Sequence, residues 1–270
     1  MQAVLKEKST MVVNSLIDML SPKNTTDMHM TLNASQILTE FCENDTFFQL
    51  LTQKETFKRI VQVVTSMDAN AQNQVYALNF LTQIVTQFGE QENTFFKGRK
   101  DELIEMLMKH FNDLCYNCLI ILRSGELGTN YRNQSGREVR KTGILRIRAI
   151  EHLRAILTVL SKRGYMKPAA GDNSGPAVLG DALRKKIIET MLYMMRTFQF
   201  CSISHQQGLL VLNLIREVFD EDDLETMKEF VKTELEADKN FHFPSGKVTS
   251  RMNLGQICKI AFELSHLTQK

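Results

Sequence analysis

The segment ASQILTEF, residues 34–41, is followed 43 residues later by ALNFLTQI, residues 77–84. Both begin with alanine, carry leucine four places on, and carry an apolar residue three places after that. The spacing recurs from Ala149 and from Gly208, so successive copies lie 43, 72 and 59 residues apart. Steps of three and four residues put these side chains on one face of an α-helix. Because a small residue lets a second helix approach closely, the four copies predict stacked helical pairs of the armadillo or HEAT kind.

The rest of the chain also has helical character. No proline lies between residues 23 and 167, and apolar residues recur at steps of three and four rather than two. Two glycine-rich segments, 124–142 and 164–180, interrupt this pattern, and their length and composition indicate flexible loops. The predicted helices lie near residues 3–20, 28–43, 45–52, 54–67, 71–88, 99–123, 143–163, 180–198, 203–219, 222–235 and 252–267.

These features predict an all-α protein in which residues 1–270 form a single helical-repeat domain, an armadillo/HEAT-like superhelix or α-solenoid. A second repeated element, DTFF at Asp45 and NTFF at Asn93, favours this interpretation. The alternative is an irregular all-helical bundle, because any buried amphipathic helix can carry the small-residue spacing by chance.

The composition is that of a globular protein without a strong charge preference. The 270 residues carry a net charge of +2, which does not indicate a nucleic acid or an anionic membrane as partner. Five cysteines without regular spacing fit a reduced intracellular protein better than a disulfide framework. No uncharged apolar run approaches the roughly 18 residues of a membrane span. We therefore expect a cytoplasmic protein, with the nucleus as a second compartment.

Motifs that carry chemistry are weak in this sequence. Cys115 and Cys118 form a Cys-x-x-Cys with His110 just upstream, but a zinc site needs four ligands and no second cysteine pair exists. The surrounding residues read as one helix, so two buried thiols on adjacent turns are expected, with a metal enzyme as the alternative. The acidic run DEDDLE, residues 220–225, predicts the start of a helix, with Asp222 as a candidate N-cap. No catalytic residue, metal or cofactor is predicted.

Four segments resemble the SAPS-domain family, the regulatory subunits of protein phosphatase 6. They follow the family's order along the chain and match it in part: LIDMLSPKNTTDMHMTLNASQIL (16–38), GILRIRAIEHLRAIL (143–157), FQFCSISHQQ (198–207) and LGQICKIA (254–261). The third departs from the family pattern at Gln199, Cys201 and Ser202. Members of the family have further helices before the first of these segments. The chain is therefore expected to be a member shortened at the N-terminus, or part of a longer protein.

The resemblance implies a non-catalytic regulatory or scaffold subunit. Such a subunit would bind the catalytic subunit of a serine/threonine phosphatase, with a third subunit as a further partner, and would direct substrate choice or location. The residues carried over as partner-binding candidates are Asn33, Arg146, Glu151 and His205; for each, capping or hydrogen bonding between repeats is the alternative role. A helical-repeat adaptor for a cytoskeletal or transport assembly is the alternative function.

Overall fold

A computed structural model describes residues 2–20, 28–66, 73–89, 100–123, 136–162, 166, 179–197, 202–239, 262 and 265–266. Within these ranges all regular structure is helical and no strand occurs, so the all-α prediction is confirmed. The α-helices are α1 Gln2–Leu20, α2 Met28–Phe41, α3 Asp45–Leu51, α4 Lys54–Thr65, α5 Asn73–Gly89, α6 Lys100–Arg123, α7 Gly136–Lys162, α8 Asp181–Thr197, α9 Ser202–Ile215 and α10 Glu221–Lys239. A short 3-10 helix, Arg216–Val218, continues α9.

The helix boundaries follow the sequence closely, with one clear exception. Helix α7 begins at Gly136, seven residues before its predicted start, so residues 136–142 are helical and the predicted loop 124–142 is too long. A lone glycine costs a helix only about 1 kcal/mol relative to alanine, so Gly143 does not end α7. The remainder of that loop, most of loop 164–180 and most of the predicted helix 252–267 lie outside the described residues.

Backbone contacts divide the chain into two compact units, residues 1–163 and 164–270. The prediction of a single domain over 1–270 stays a prediction. Each unit is described by itself.

The first unit consists of helical pairs arranged in chain order. Helix α1 packs on α2, α4 on α5, and α6 on α7. The first members contact one another in sequence, α1 with α4 and α4 with α6, and are called here the first row. The second members do the same, α2 with α5 and α5 with α7, and are called the second row. The short α3 contacts α1, α2 and α4.

The repeated spacing of small residue, leucine and apolar residue occurs on one helix of each pair. Its first three copies lie on α2, α5 and α7, the second row, and the fourth lies on α9. Their small residues and leucines are buried, as the sequence predicts: Ala34, Leu38, Ala77, Leu81, Ala149, Leu153, Gly208 and Leu212. The repeated face is therefore the face on which these helices pack into the core.

Two side-chain hydrogen bonds join neighbouring helices of the second row. Ser35 Oγ on α2 donates to the carbonyl oxygen of Tyr76 on α5 at 2.7 Å. Thr82 Oγ1 on α5 lies 2.9 Å from Nδ1 of His152 on α7. Because each bond joins two successive helices of the second row at a defined position, the bonds help to fix the register of one pair on the next.

In the second unit α8 packs against both α9 and α10. Helix α9 approaches α8 closely at Gly208, where an added Cβ would come within 3.2 Å of Cε of Met195. A Cβ there would require the Met195 side chain to shift by a few tenths of an ångström, so this close approach favours the small residue that begins this copy of the spacing.

Candidate docking surface

A buried polar residue recurs three places before the small residue of each copy. In the four copies it is Thr31, Gln74, Arg146 and His205, all of them buried. Thr31 Oγ1 donates to the carbonyl oxygen of Met19 at 3.3 Å, and Nε2 of His205 lies 3.1 Å from the carbonyl oxygen of Met195. Met19 and Met195 belong to the last turns of α1 and α8, whose carbonyls lack partners within the helix. Thr31 and His205 therefore each bridge the two helices of one pair.

This placement bears on two of the residues predicted to bind a partner. Arg146 exposes 5% of its surface and His205 exposes 7%, so each offers little area to another protein. For His205 the bond to Met195 fits the alternative role, a hydrogen bond within the fold. Gln74 holds the same register position on α5, is fully buried, and has no hydrogen-bond partner for its side-chain amide among the described residues. The position of Gln74, three places before the small residue of its copy, is the sequence feature from which this buried polar residue could have been predicted.

The other two predicted partner-binding residues lie on helices of the second row and are less buried. Asn33 on α2 is exposed, and Glu151 on α7 is half-buried. Glu151 Oε2 accepts a hydrogen bond from Nη1 of Arg148 at 2.8 Å. Asn33 and Glu151 lie on helices that are separated by α5 in the row.

Two exposed amides also lie on helices of the second row. Gln36 on α2 and Asn79 on α5 each lie two places after the small residue of their copy, which is also the register position of Glu151 on α7. The three positions therefore point the same way on successive helices. We call Asn33, Gln36, Asn79 and Glu151 the outer face of the second row. It is polar and nearly uncharged, and amides can both donate and accept hydrogen bonds from a partner.

His152 is a buried histidine whose pKa is strongly lowered. It is 1% exposed, and burial lowers its pKa from 6.5 to about 3. Its Nδ1 lies against Thr82 Oγ1, which itself donates to the carbonyl oxygen of Leu78 at 2.7 Å. The ring is therefore neutral at physiological pH and acts as a packing residue with one hydrogen bond.

We expect His152 to make stability depend on pH. Between pH 6.5 and the folded-state pKa of about 3, the unfolded chain binds a proton at this ring that the folded chain does not bind. The free energy of unfolding should therefore fall by about 2 kcal/mol between pH 6.5 and pH 5. Urea unfolding of the native chain and of His152→Leu at both pH values measures the contribution of His152. It is the difference between the two chains in how far the free energy of unfolding falls from the higher to the lower pH. Parallel pH profiles for the two chains would contradict it.

The two thiols of the Cys-x-x-Cys motif lie in the interior of the first unit. Cys115 and Cys118 are free and buried on α6, as the helical interpretation predicts. Burial raises the pKa of the Cys118 thiol to about 12 and that of Cys115 well above its ordinary value, so both thiols are protonated and inert. Across the described residues no group of three His, Cys, Asp or Glu side chains is placed to hold a metal ion.

Charged residues are gathered instead at the start of α10. Arg184 on α8 is bonded to Asp181, Asp220 and Asp223, and Lys185 Nζ lies 3.1 Å from Asp222 Oδ2. Each carboxylate of this group thus faces a cation, which is the arrangement of a structural network. The helix start predicted from DEDDLE is confirmed, but the N-cap is wrong. Helix α10 begins at Glu221, one residue before the predicted cap, Asp222.

A comparison with known protein-family models, curated proteins and solved structures finds no match to this chain. Among the described helices none combines the length and apolar character needed to cross a bilayer.

Proposed function

We propose that the helical pairs of the first unit form an armadillo/HEAT-like solenoid that acts as a non-catalytic scaffold for another protein. The ordered contacts of the two rows support this, because each pair packs on its neighbours in the chain. Among the described residues, Asn33, Gln36 and Asn79 of this row are exposed, and Glu151 is half-buried. The outer face of the second row is then the docking surface, which a specific partner would cover with about 600–1,000 Å² per side.

The partner we propose is the catalytic subunit of a phosphatase 6-type serine/threonine phosphatase. The support is the order of the four SAPS-like segments, two of which include Asn33 and Glu151 on the outer face. In this role the chain would direct the phosphatase to its substrates or location in the cytoplasm, without chemistry of its own. A repeat adaptor for another assembly would use the same face with a different partner.

Binding between purified proteins tests this proposal. The chain is expected to bind the recombinant catalytic subunit, and Asn79→Lys should weaken binding by about tenfold or more because it places a charge in the middle of the outer face. Asn112→Lys is the matched control, since Asn112 is an exposed residue of α6 in the first row. Absence of binding by the native chain at micromolar concentrations would contradict the proposal. An equal loss of affinity in the two variants would contradict the assignment of the outer face as the docking surface.

A further inference from the structure

Gln74 has a buried side-chain amide that the described residues leave without hydrogen bonds. It is the second residue of α5 and is fully buried. Neither its Nε2 nor its Oε1 has a hydrogen-bond partner among the described residues. Most buried polar groups in folded proteins bond to protein or to ordered water, because an unmade bond destabilises the folded state. Nε2 needs an acceptor and Oε1 needs a donor, so the partner of this amide must supply both.

The register of the repeat indicates which groups Gln74 faces. Thr31 and His205 hold the same register position, and they bond to carbonyls that lie 12 and 10 residues before them in the chain. In both cases the carbonyl belongs to the last turn of the first helix of the pair. The same offsets counted back from Gln74 lead to residues 62–64, in the last turn of α4, which ends at Thr65. We therefore expect the amide to point toward the C-terminal carbonyls of α4.

The last turn of α4 presents carbonyls that can accept further hydrogen bonds. A helix leaves its last four carbonyls without partners inside the helix. Ser66 donates to two of them, from its amide to Gln62 at 3.0 Å and from its hydroxyl to Val63 at 3.1 Å. Asn117 of α6 reaches the carbonyl of Thr65 at 3.4 Å, which is long for a hydrogen bond. Because a carbonyl oxygen has two lone pairs, this turn has the capacity to accept from another donor.

We propose that Gln74 binds an internal water molecule, which links the first turn of α5 to the last turn of α4. The water accepts a hydrogen bond from Nε2 and donates one to Oε1, and its second proton goes to a carbonyl of the last turn of α4. Three polar partners are typical of a buried water. An anion at this place would leave Oε1 without a donor, and a metal ion would leave Nε2 without an acceptor. Water is therefore the small ligand that satisfies the whole amide.

A link through water suits this pair because α4 and α5 pack less extensively than the pairs on either side. Helix α4 has 12 residues, against 19 in α1 and 24 in α6. A bridging water spans up to about 5 Å between two polar groups, compared with about 3 Å for a direct bond. The same register position thus joins the two helices of each of these pairs, directly through Thr31 and His205 and through water at Gln74.

A high-resolution crystal structure of the full chain tests this proposal directly. We expect an ordered water about 2.7–3.2 Å from both polar side-chain atoms of Gln74 and from a carbonyl in the last turn of α4. A Gln74 amide that bonds directly to protein groups would overturn the proposal, and so would an amide with no ordered water beside it.

Nuclear magnetic resonance tests the same site in solution. The side-chain amide protons of Gln74 should show a dipolar cross peak to water in the native chain, because a buried water stays beside them far longer than bulk water does. Gln74→Met identifies these protons, since methionine has a similar volume and no amide. Gln36→Met is the matched control, because Gln36 is exposed on α2 and its replacement should leave the cross peak unchanged. Absence of the cross peak in the native chain would contradict the bound water. Neither measurement involves phosphatase binding, so this proposal and the proposed function are tested separately.

Discussion

Replacing Arg184 by alanine should lower the free energy of unfolding of the second unit by about 3–5 kcal/mol. The guanidinium lies between α8 and the start of α10, and only 7% of the side chain is exposed. Its Nε donates to Asp223 Oδ2 at 2.6 Å and its Nη1 to Asp181 Oδ1 at 2.6 Å, while Nη2 donates to Asp220. Removal of the cation would leave the 2%-exposed Asp223 carboxylate buried with no positive partner. This uncompensated charge is the main source of the expected loss.

The same carboxylates also form the cap of α10. Asp220 Oδ1 accepts from the amide of Asp223 at 2.8 Å, and Asp223 Oδ2 accepts from the amide of Asp220 at 3.1 Å. This reciprocal pair is a capping box built from two aspartates, which satisfies two amides that the helix cannot pair itself. Arg184 holds both aspartates in place, so the loss of its side chain should also fray the first turn of α10.

Thermal and urea unfolding of three variants separates these contributions. Lys185→Ala is the control, because its exposed pair with Asp222 is screened by solvent and should contribute little. The double variant Arg184→Met, Asp223→Leu removes the buried charges together and should recover part of the stability lost in Arg184→Ala. If Arg184→Ala were no more harmful than Lys185→Ala, the network would not stabilise the second unit.

The sequence predicted the helices and the face on which they pack, because both depend on local spacing. Steps of three and four residues are visible in any single stretch, and Ala34, Ala77 and Ala149 mark the packing face of α2, α5 and α7. The same alanines also distinguish the two rows of the first unit, since every copy of the spacing in that unit lies on a helix of the second row. The helix boundaries were also close, except where Gly136 begins α7.

The polar contacts could not be predicted, because they join residues that are far apart in the chain. Arg184 meets Asp223 across 39 residues, and Thr82 meets His152 across 70. No local pattern indicates which carboxylate a buried arginine will reach. Arg146 and His205 were chosen by resemblance as partner-binding residues, and the structure places both in the interior. Their shared position in the repeat becomes visible only when the copies are aligned on the buried small residue.

Replacing Phe80 by alanine should lower the free energy of unfolding by about 3–5 kcal/mol. Phe80 lies on α5, the middle helix of the second row, and is fully buried. It holds the register position at which His152 contacts the preceding helix, so we expect the ring to pack toward α2. Truncation would remove the apolar area of a whole ring and leave a cavity that α2 and α5 cannot close without shifting the neighbouring pairs.

Ile37→Ala is the matched control, because Ile37 holds the same register position on α2 and is 39% exposed there. This change should cost less than about 1 kcal/mol. The comparison tests the effect of burial at this register position, since Phe80 is fully buried and Ile37 is 39% exposed, and the larger phenyl ring adds to the expected difference. Urea unfolding followed by circular dichroism measures both values. Similar costs at the two positions would mean that burial of Phe80 does not contribute the expected stability.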